Sequence, residues 1–159
     1  MILFILISCS QGSMESNVGQ SNIDVVKRYL QAANNKDIKT MDSLLADDFV
    51  GYGPSYTDSI DKQSALRNWS IISQDYYDEV HVSDPMMIAA RLESGAHPGD
   101  WIAAWSQVRL TYKDTARRPV TIYANVLYRV ENGKIAMLRR FYNEADIQRQ
   151  SGFNPIQVK

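Results

Sequence analysis

The residues best suited to small-molecule binding in this 159-residue chain are aromatic and basic side chains at strand spacing. Trp101, Ala103 and Trp105 alternate along a predicted strand, so they share one face of it. Two tryptophans on one face are costly to expose, and they either fill a core or wall a ligand cavity. Arg140 and Tyr142 share a face of a later predicted strand. A buried arginine needs a partner, which is a carboxylate of the protein or an anionic or carbonyl ligand.

Further aromatic and amide side chains complete the candidate binding set. The candidate ligand-binding residues are Tyr29, Tyr52, Trp69, Trp101, Trp105, Asn125, Arg140, Tyr142 and Asn143. Three are also candidate catalytic residues, since Tyr29 or Tyr142 would donate to a developing oxyanion and Arg140 would stabilise its charge. Core packing equally explains the tryptophans and Tyr29, and an ion pair or surface charge explains Arg140. No base is identified, because alternation places His81 on a wet face and His97 lies in a Gly/Pro-rich loop.

Composition argues against several classes of protein. With 17 basic and 18 acidic residues, the net charge of −1 attracts no phosphate backbone, so no nucleic-acid partner is expected. One cysteine excludes a disulfide framework, and it does not stand at zinc-ligand spacing with the two histidines. Neither a phosphate-cradling glycine loop nor a nucleophile elbow occurs. We therefore expect neither a metal nor a cofactor.

The single cysteine directly follows an apolar run. Residues 1–7 are uninterruptedly apolar but far shorter than the roughly 20 residues of a membrane-spanning helix. Together with the sequence Leu-Ile-Ser-Cys ending at Cys9, this run resembles the signal of bacterial lipoproteins. The resemblance implies that residues 1–8 are a signal remnant, and that a lipid on Cys9 anchors the protein to a membrane of the bacterial cell envelope. No Lys or Arg precedes the run, and the alternative is a translated upstream segment followed by an idle thiol.

From Cys9 onward, we expect three segments. Residues 9–21 are polar and form a flexible tether, residues 22–153 form a single folded domain, and residues 154–159 form a tail. Ser21 and Asp24 resemble a capping box, and Asp37 can cap a second helix. Asn132-Gly133 predicts a tight hairpin. Helical periodicity predicts helices at 22–34, after Asp37, at 61–74 and at 144–150. Alternating apolar residues predict strands at 79–92, 100–113, 119–130 and 134–142, with a short strand at 49–52.

Short turns between consecutive strands require antiparallel pairing, so the fold class is α+β, with a sheet packed against three N-terminal helices. Two stretches resemble the NTF2-like superfamily and its SnoaL-like members. Residues 25–49 run from Val-Val-Lys-Arg-Tyr through Asn-Lys-Asp to Leu-Leu-Ala-Asp-Asp-Phe, and are similar to the opening of ketosteroid isomerases and SnoaL-like cyclases. Residues 128–153 contain the hairpin, Arg-Phe-Tyr-Asn and Gln-Ser-Gly-Phe of a SnoaL-like ending. The resemblance implies a cone-shaped, strongly bent antiparallel sheet closed by the helices.

Carried over residue by residue, the resemblance argues against steroid-isomerase chemistry. Tyr29 falls on a tyrosine that donates to the oxyanion in those enzymes. Their proton-abstracting Asp falls on Gly53, and a second Asp falls near Val126. SnoaL-like cyclases carry an acid after the last strand. The residue at that position here is Asn143, whose amide takes no proton at ordinary pH.

Two hypotheses about function follow. In the first, the cone binds a small, largely apolar, ring-containing ligand, with an unidentified reaction. In the second, the domain is a non-catalytic module that forms a homodimer or binds a partner through its outer sheet face. The residues expected on that outer face are Val108, Leu110 and Tyr112.

Overall fold

The computed structural model describes residues 11–83 and 85–152. Cys9, the predicted signal remnant and the predicted tail lie outside the described residues. The helices are α1 (Gln11–Asn34), α2 (Ile38–Leu44), α3 (Lys62–Ile71) and α4 (Glu144–Ser151), and a π turn (Ile72–Tyr76) follows α3. The strands are β1 (Leu45–Tyr52), β2 (Ser59–Asp61), β3 (Tyr77–Val82), β4 (Met86–Leu92), β5 (Gly99–Tyr112), β6 (Val120–Glu131) and β7 (Lys134–Tyr142). In the described part of the chain, no helix is both long and apolar enough to cross a bilayer.

The strands form one curled sheet in the order β2-β1-β7-β6-β5-β3. The long β5 pairs with β3 along its second half and with β4 along its first half. All pairs are antiparallel except β1 with β7, which are parallel. The predicted α+β class, with a bent sheet against helices, is confirmed. The expectation of an entirely antiparallel sheet is corrected, because β1 pairs in parallel with β7.

Local sequence signals set several element boundaries. Asp37 caps α2, as expected, because its carboxylate accepts a hydrogen bond from the backbone N–H of Thr40. Asp61 caps α3 in the same way through Ser64. At the β6–β7 turn, Asn132 and Gly133 have φ values of 51° and 72°, the left-handed conformation that a tight hairpin requires.

The first helix begins much earlier than expected. Since α1 starts at Gln11, the prediction of a flexible tether is corrected over residues 11–21. Ser21 lies inside the helix, where its hydroxyl donates to the carbonyl of Val18, so the predicted capping box is wrong. A helix propagates more easily than it starts, and this extension also packs on β4, where a Cβ on Gly19 would lie 3.2 Å from Cβ of Ala89.

Two other predicted elements are divided in the structure. The strand predicted over 79–92 is β3 and β4, separated by a break that contains Pro85, which has no N–H for a strand ladder. The helix predicted over 61–74 ends at Ile71 and continues as the π turn. Strand β2 was not predicted.

Three clusters of buried apolar residues form the core. The largest joins α1 to the sheet and includes Val26, Ile102 and Tyr128. A second lies at the β3–β5–β6 end of the sheet and a third lies between the helices. The space where these clusters meet is not filled.

Candidate functional site

A cavity of about 260 Å³ lies where the three clusters meet. It is bounded by α1, α2, α3, the π turn, α4 and strands β3, β5, β6 and β7. Most of its lining is apolar, and no Asp, Glu or His is among the described residues that line it. Side chains with polar tips in the lining belong to Tyr29, Trp69, Tyr77, Ser106, Tyr128, Arg140 and Tyr142.

Strand alternation explains which sheet residues face the cavity. On β7, the shared face of Arg140 and Tyr142 is confirmed, since both side chains and that of Leu138 line the cavity. On β5 and β6 the cavity-facing residues are alanine or larger aliphatic residues, together with one serine and one tyrosine. They are Ala104, Ser106, Val108, Leu110, Ile122, Ala124, Val126 and Tyr128.

Arg140 brings a positive charge to the lining. Its Nε atom is buried and has no hydrogen-bond partner. No ion pair among the side chains of residues 18–83 and 85–152 includes Arg140. Of the two kinds of partner expected for a buried arginine, the described chain supplies no carboxylate.

The partly buried Tyr29 and the buried Tyr128 both lie within the electrostatic reach of this guanidinium. The ring of Tyr29 meets that of Tyr128 edge to face, with centroids 6.4 Å apart. Burial raises the pKa of Tyr29, and the positive charge of Arg140 opposes this rise. Burial also raises the pKa of Tyr128. Both hydroxyls therefore remain protonated hydrogen-bond donors at neutral pH.

The pKa of Tyr142 depends both on the cavity and on acids outside it. Burial raises its pKa, Arg140 opposes the rise, and the negative charges of Glu144 and Asp58 add to it. The carboxylate of Asp58 lies beside Gly53, where a Cβ would be 2.7 Å from Oδ2 of Asp58. An exposed carboxylate thus lies next to the position where the family resemblance places the proton acceptor. The sequence shows Asp58 only as one of several loop acids.

Trp69 lines the cavity from the end of α3, and its indole Nε1 is buried without a hydrogen-bond partner. The π turn that follows brings Ile72 into the lining. Lys36 holds this turn, because its ammonium donates to the carbonyl oxygens of Ser73, Tyr77 and Asp78 at 3.1, 3.2 and 2.9 Å. A turn with irregular hydrogen bonding is therefore fixed from outside by a charged donor.

Three of the expected binding residues do not line the cavity. Trp101, Trp105 and Asn125 are corrected to the outer face. Ala104 on β5 and Ala124 on β6 face the cavity, so residues an odd number of positions away from them face outward. The indole N–H of Trp101 donates to the carbonyl of His97 at 3.0 Å, and Trp105 is 41% exposed. The side-chain amide of Asn125 donates to the carbonyl of Ala104 at 3.1 Å.

Two further expected residues also lie away from the cavity. Tyr52 lies under the guanidinium of Arg139, with Cζ 4.4 Å from the ring centroid. Asn143 caps α4, where its side-chain oxygen accepts from the backbone N–H of Asp146 at 3.1 Å. Of the predicted set, the structure brings together Tyr29, Trp69, Arg140 and Tyr142.

The residues expected on the outer sheet face are also corrected. Val108 and Leu110 line the cavity, and Tyr112 is buried with its ring 4.9 Å from that of Tyr77. The prediction failed because the inward face of β5 was assigned one residue out of step. Four exposed apolar side chains of the sheet line one shallow depression, and we name them the outer patch: Met86, Trp105, Tyr123 and Phe141.

No group of three or more His, Cys, Asp and Glu side chains in the described part of the chain could hold a metal ion.

The family model described as SnoaL-like domain matches residues 26–138. A putative polyketide cyclase from Xanthomonas campestris pv. campestris is similar at a TM-score of 0.67 and 16% identity, over 84% of this chain and 98% of that chain. An NTF2-like protein of unknown function from Burkholderia pseudomallei gives 0.64 and 18%, over 82% and 97%. An LEH-like epoxide hydrolase from M. tuberculosis gives 0.61 and 19%, over 84% and 90%. No curated protein matches.

Proposed function

The chain belongs to the SnoaL-like domain family, and we propose that its cavity binds a small, largely apolar, ring-containing molecule. The observation that carries the proposal is the unfilled space of about 260 Å³ with a mostly apolar lining. An apolar cavity of about 150 Å³ is already large enough to hold benzene. Pockets for drug-sized ligands begin at about 300 Å³, so the ligand proposed here is a smaller molecule.

The proposal is one of binding and names no reaction. Similar structures carry names as different as epoxide hydrolase and polyketide cyclase, so the fold does not select a chemistry. The described lining holds hydrogen-bond donors in Tyr29, Arg140 and Tyr142, but no carboxylate or imidazole that would take a proton near neutral pH. These donors would orient a ligand that carries an acceptor group.

Toluene is a suitable neutral probe for this proposal. We expect it to shift the indole N–H resonance of Trp69 in a ¹H–¹⁵N spectrum, and to leave that of the outer-face Trp105 unchanged. The variant Val108→Phe should abolish the shift because the new ring fills the cavity. Its matched control is Gln107→Phe, on the opposite face of β5. No shift at Trp69 up to saturating toluene would contradict the proposal.

A second candidate function is homodimerisation through the outer patch. Tyr123 is 78% exposed and Met86 is 64% exposed, although both are large side chains on a sheet surface. The depression that contains the patch is lined by uncharged residues among those described, so the patch itself brings no like charges together when two copies meet. A self-complementary surface of this kind suits a twofold dimer.

Sedimentation of the full chain tests the dimer. We expect a dimer that Tyr123→Glu converts to a monomer, whereas Tyr56→Glu does not, because Tyr56 lies in a loop and is 99% exposed. A native chain that is monomeric at high concentration would contradict the second candidate.

We also propose that Cys9 carries a lipid that tethers the domain at the bacterial cell envelope. The support is the apolar run and the Leu-Ile-Ser-Cys sequence that ends it. In bacterial cells given radiolabelled lipid, the native chain and Ser10→Ala should incorporate the label, and Cys9→Ala should not. Equal labelling of the native chain and Cys9→Ala would end this proposal.

A further inference from the structure

We infer that the ligand of the cavity is a monoanion, a small carboxylate whose head group is bound by Arg140. This inference rests on the proposed binding function and adds the charge and head group of the molecule. It starts from the electrostatic imbalance of the lining.

Within the described lining, Arg140 is the one charged side chain. A guanidinium facing an apolar space is unfavourable unless a negative charge compensates it. The described chain provides no such charge in the cavity, since Asp58 and Glu144 are exposed residues outside its lining. A bound anion would supply this compensation at the buried Nε side of the guanidinium.

Unpartnered donors support the same conclusion. The buried side-chain atoms without a hydrogen-bond partner, among residues whose positions are described, are Nε of Arg140, Nε1 of Trp69 and Nε of Arg129. The guanidinium of Arg129 is already paired with Glu131 at 3.3 Å. The other two belong to side chains that line the cavity from β7 and α3. Buried donors without partners are costly, and a ligand with oxygen acceptors recovers that free energy.

The surroundings of Arg140 indicate which acceptor group it takes. Tyr29 and Tyr142 are close enough for the charge of Arg140 to act on both, and their raised pKa values keep both hydroxyls as donors. A carboxylate has two oxygens that accept from a guanidinium and from a neighbouring hydroxyl at once.

Other acceptor groups match this environment less well. A phosphate monoester carries about −1.5 to −2 charges at neutral pH, which one guanidinium in an apolar lining does not balance. A neutral carbonyl accepts hydrogen bonds but leaves the charge of Arg140 uncompensated. A ring with a single carboxylate satisfies both the apolar walls and the single cation.

Benzoate and benzamide are matched probes, because they share shape and differ in charge. The experiment titrates each into the full chain and follows the indole N–H resonance of Trp69, with Trp101 and Trp105 as internal references. We expect benzoate to bind about tenfold or more tightly than benzamide, as a charge-assisted hydrogen bond implies. Arg140→Gln should remove this preference, and Arg139→Gln should keep it, because Arg139 stacks on Tyr52 instead.

Each result has a defined meaning. Benzamide binding to Arg140→Gln with native affinity shows that the variant is folded, so that a lost benzoate preference supports the inference. Equal affinity of the native chain for both probes overturns the inference and leaves the proposed apolar binding intact. A preference that survives in Arg140→Gln also overturns it. Absence of any shift at Trp69 with either probe contradicts the proposed function itself.

Discussion

The ring of Tyr29 in α1 packs edge to face against the ring of Tyr128 in β6, with their centroids 6.4 Å apart. This pair joins the first helix directly to the sheet at the wall of the cavity. Such aromatic pairs contribute about 0.5–1.5 kcal/mol beyond the area that they bury.

We expect a double-mutant cycle of Tyr29→Leu and Tyr128→Leu to give a coupling of about 1 kcal/mol in the free energy of unfolding. Urea denaturation measures it. A control cycle pairs Tyr29→Leu with Tyr123→Leu, and it should give a coupling near zero because Tyr123 lies on the outer face. Equal coupling in the two cycles would show that the ring contact adds no stability.

The free energy of unfolding should fall at high pH because of the ionisation of Tyr77. Burial, reinforced by the neighbouring Tyr112, raises the pKa of Tyr77 to about 12. An unfolded tyrosine ionises near pH 10, so the folded chain holds this proton more tightly than the unfolded chain between about pH 10 and 12. The stabilisation is complete below pH 10 and is lost as the pH rises through 12. Urea midpoints should therefore decline less steeply over this range in Tyr77→Phe than in the native chain, and parallel declines would contradict this assignment.

Removing the charged donor of Lys36 should loosen the π turn. We expect Lys36→Met to lower the free energy of unfolding by about 1–2 kcal/mol, since a charged group then no longer donates to backbone carbonyls. Amide exchange over Ile72–Tyr76 should become faster. Lys39→Met in α2 is the matched control and should change neither quantity. If both variants behave alike, the contacts of Lys36 do not hold the turn.

Asn143 separates a capping role from a binding role. Asn143→Ala should cost about 1 kcal/mol of stability because α4 loses its N-cap, and Asn143→Ser should cost less. Toluene affinity should be the same in both variants, because Asn143 does not line the cavity. Reduced affinity at unchanged stability would instead support the ligand contact that the sequence suggested.

The last strand shows what local sequence can predict. Strand β7 has the predicted bounds, 134–142, because Asn132-Gly133 defines the turn before it and alternation defines its faces. Alternation placed Arg140 and Tyr142 on one face of this strand but did not by itself show that the face points inward.

Strand β5 shows what local sequence could not predict. One face of β5 carries Trp101 and Trp105, and the other carries Ala104 and Ser106. Alternation alone does not say which of the two faces is inward. An unfilled space requires small side chains, so the face with tryptophans was the wrong one to assign to the cavity. Trp69 lines the cavity because α3 packs against elements that are distant in the sequence. The short β2 and the β1–β7 pairing are long-range features of the same kind.

The parallel pairing of β1 with β7 places Leu45 opposite Ile135, which is far away along the chain. During synthesis, β1 leaves the ribosome long before its neighbour exists, and such long-range pairing is slow to form. The nascent chain therefore has no closed sheet until β7, which carries Arg140, has been synthesised. Before that point the apolar faces of β5 and β6 lack one wall, so this is the stage at which a chaperone would be most useful to the protein.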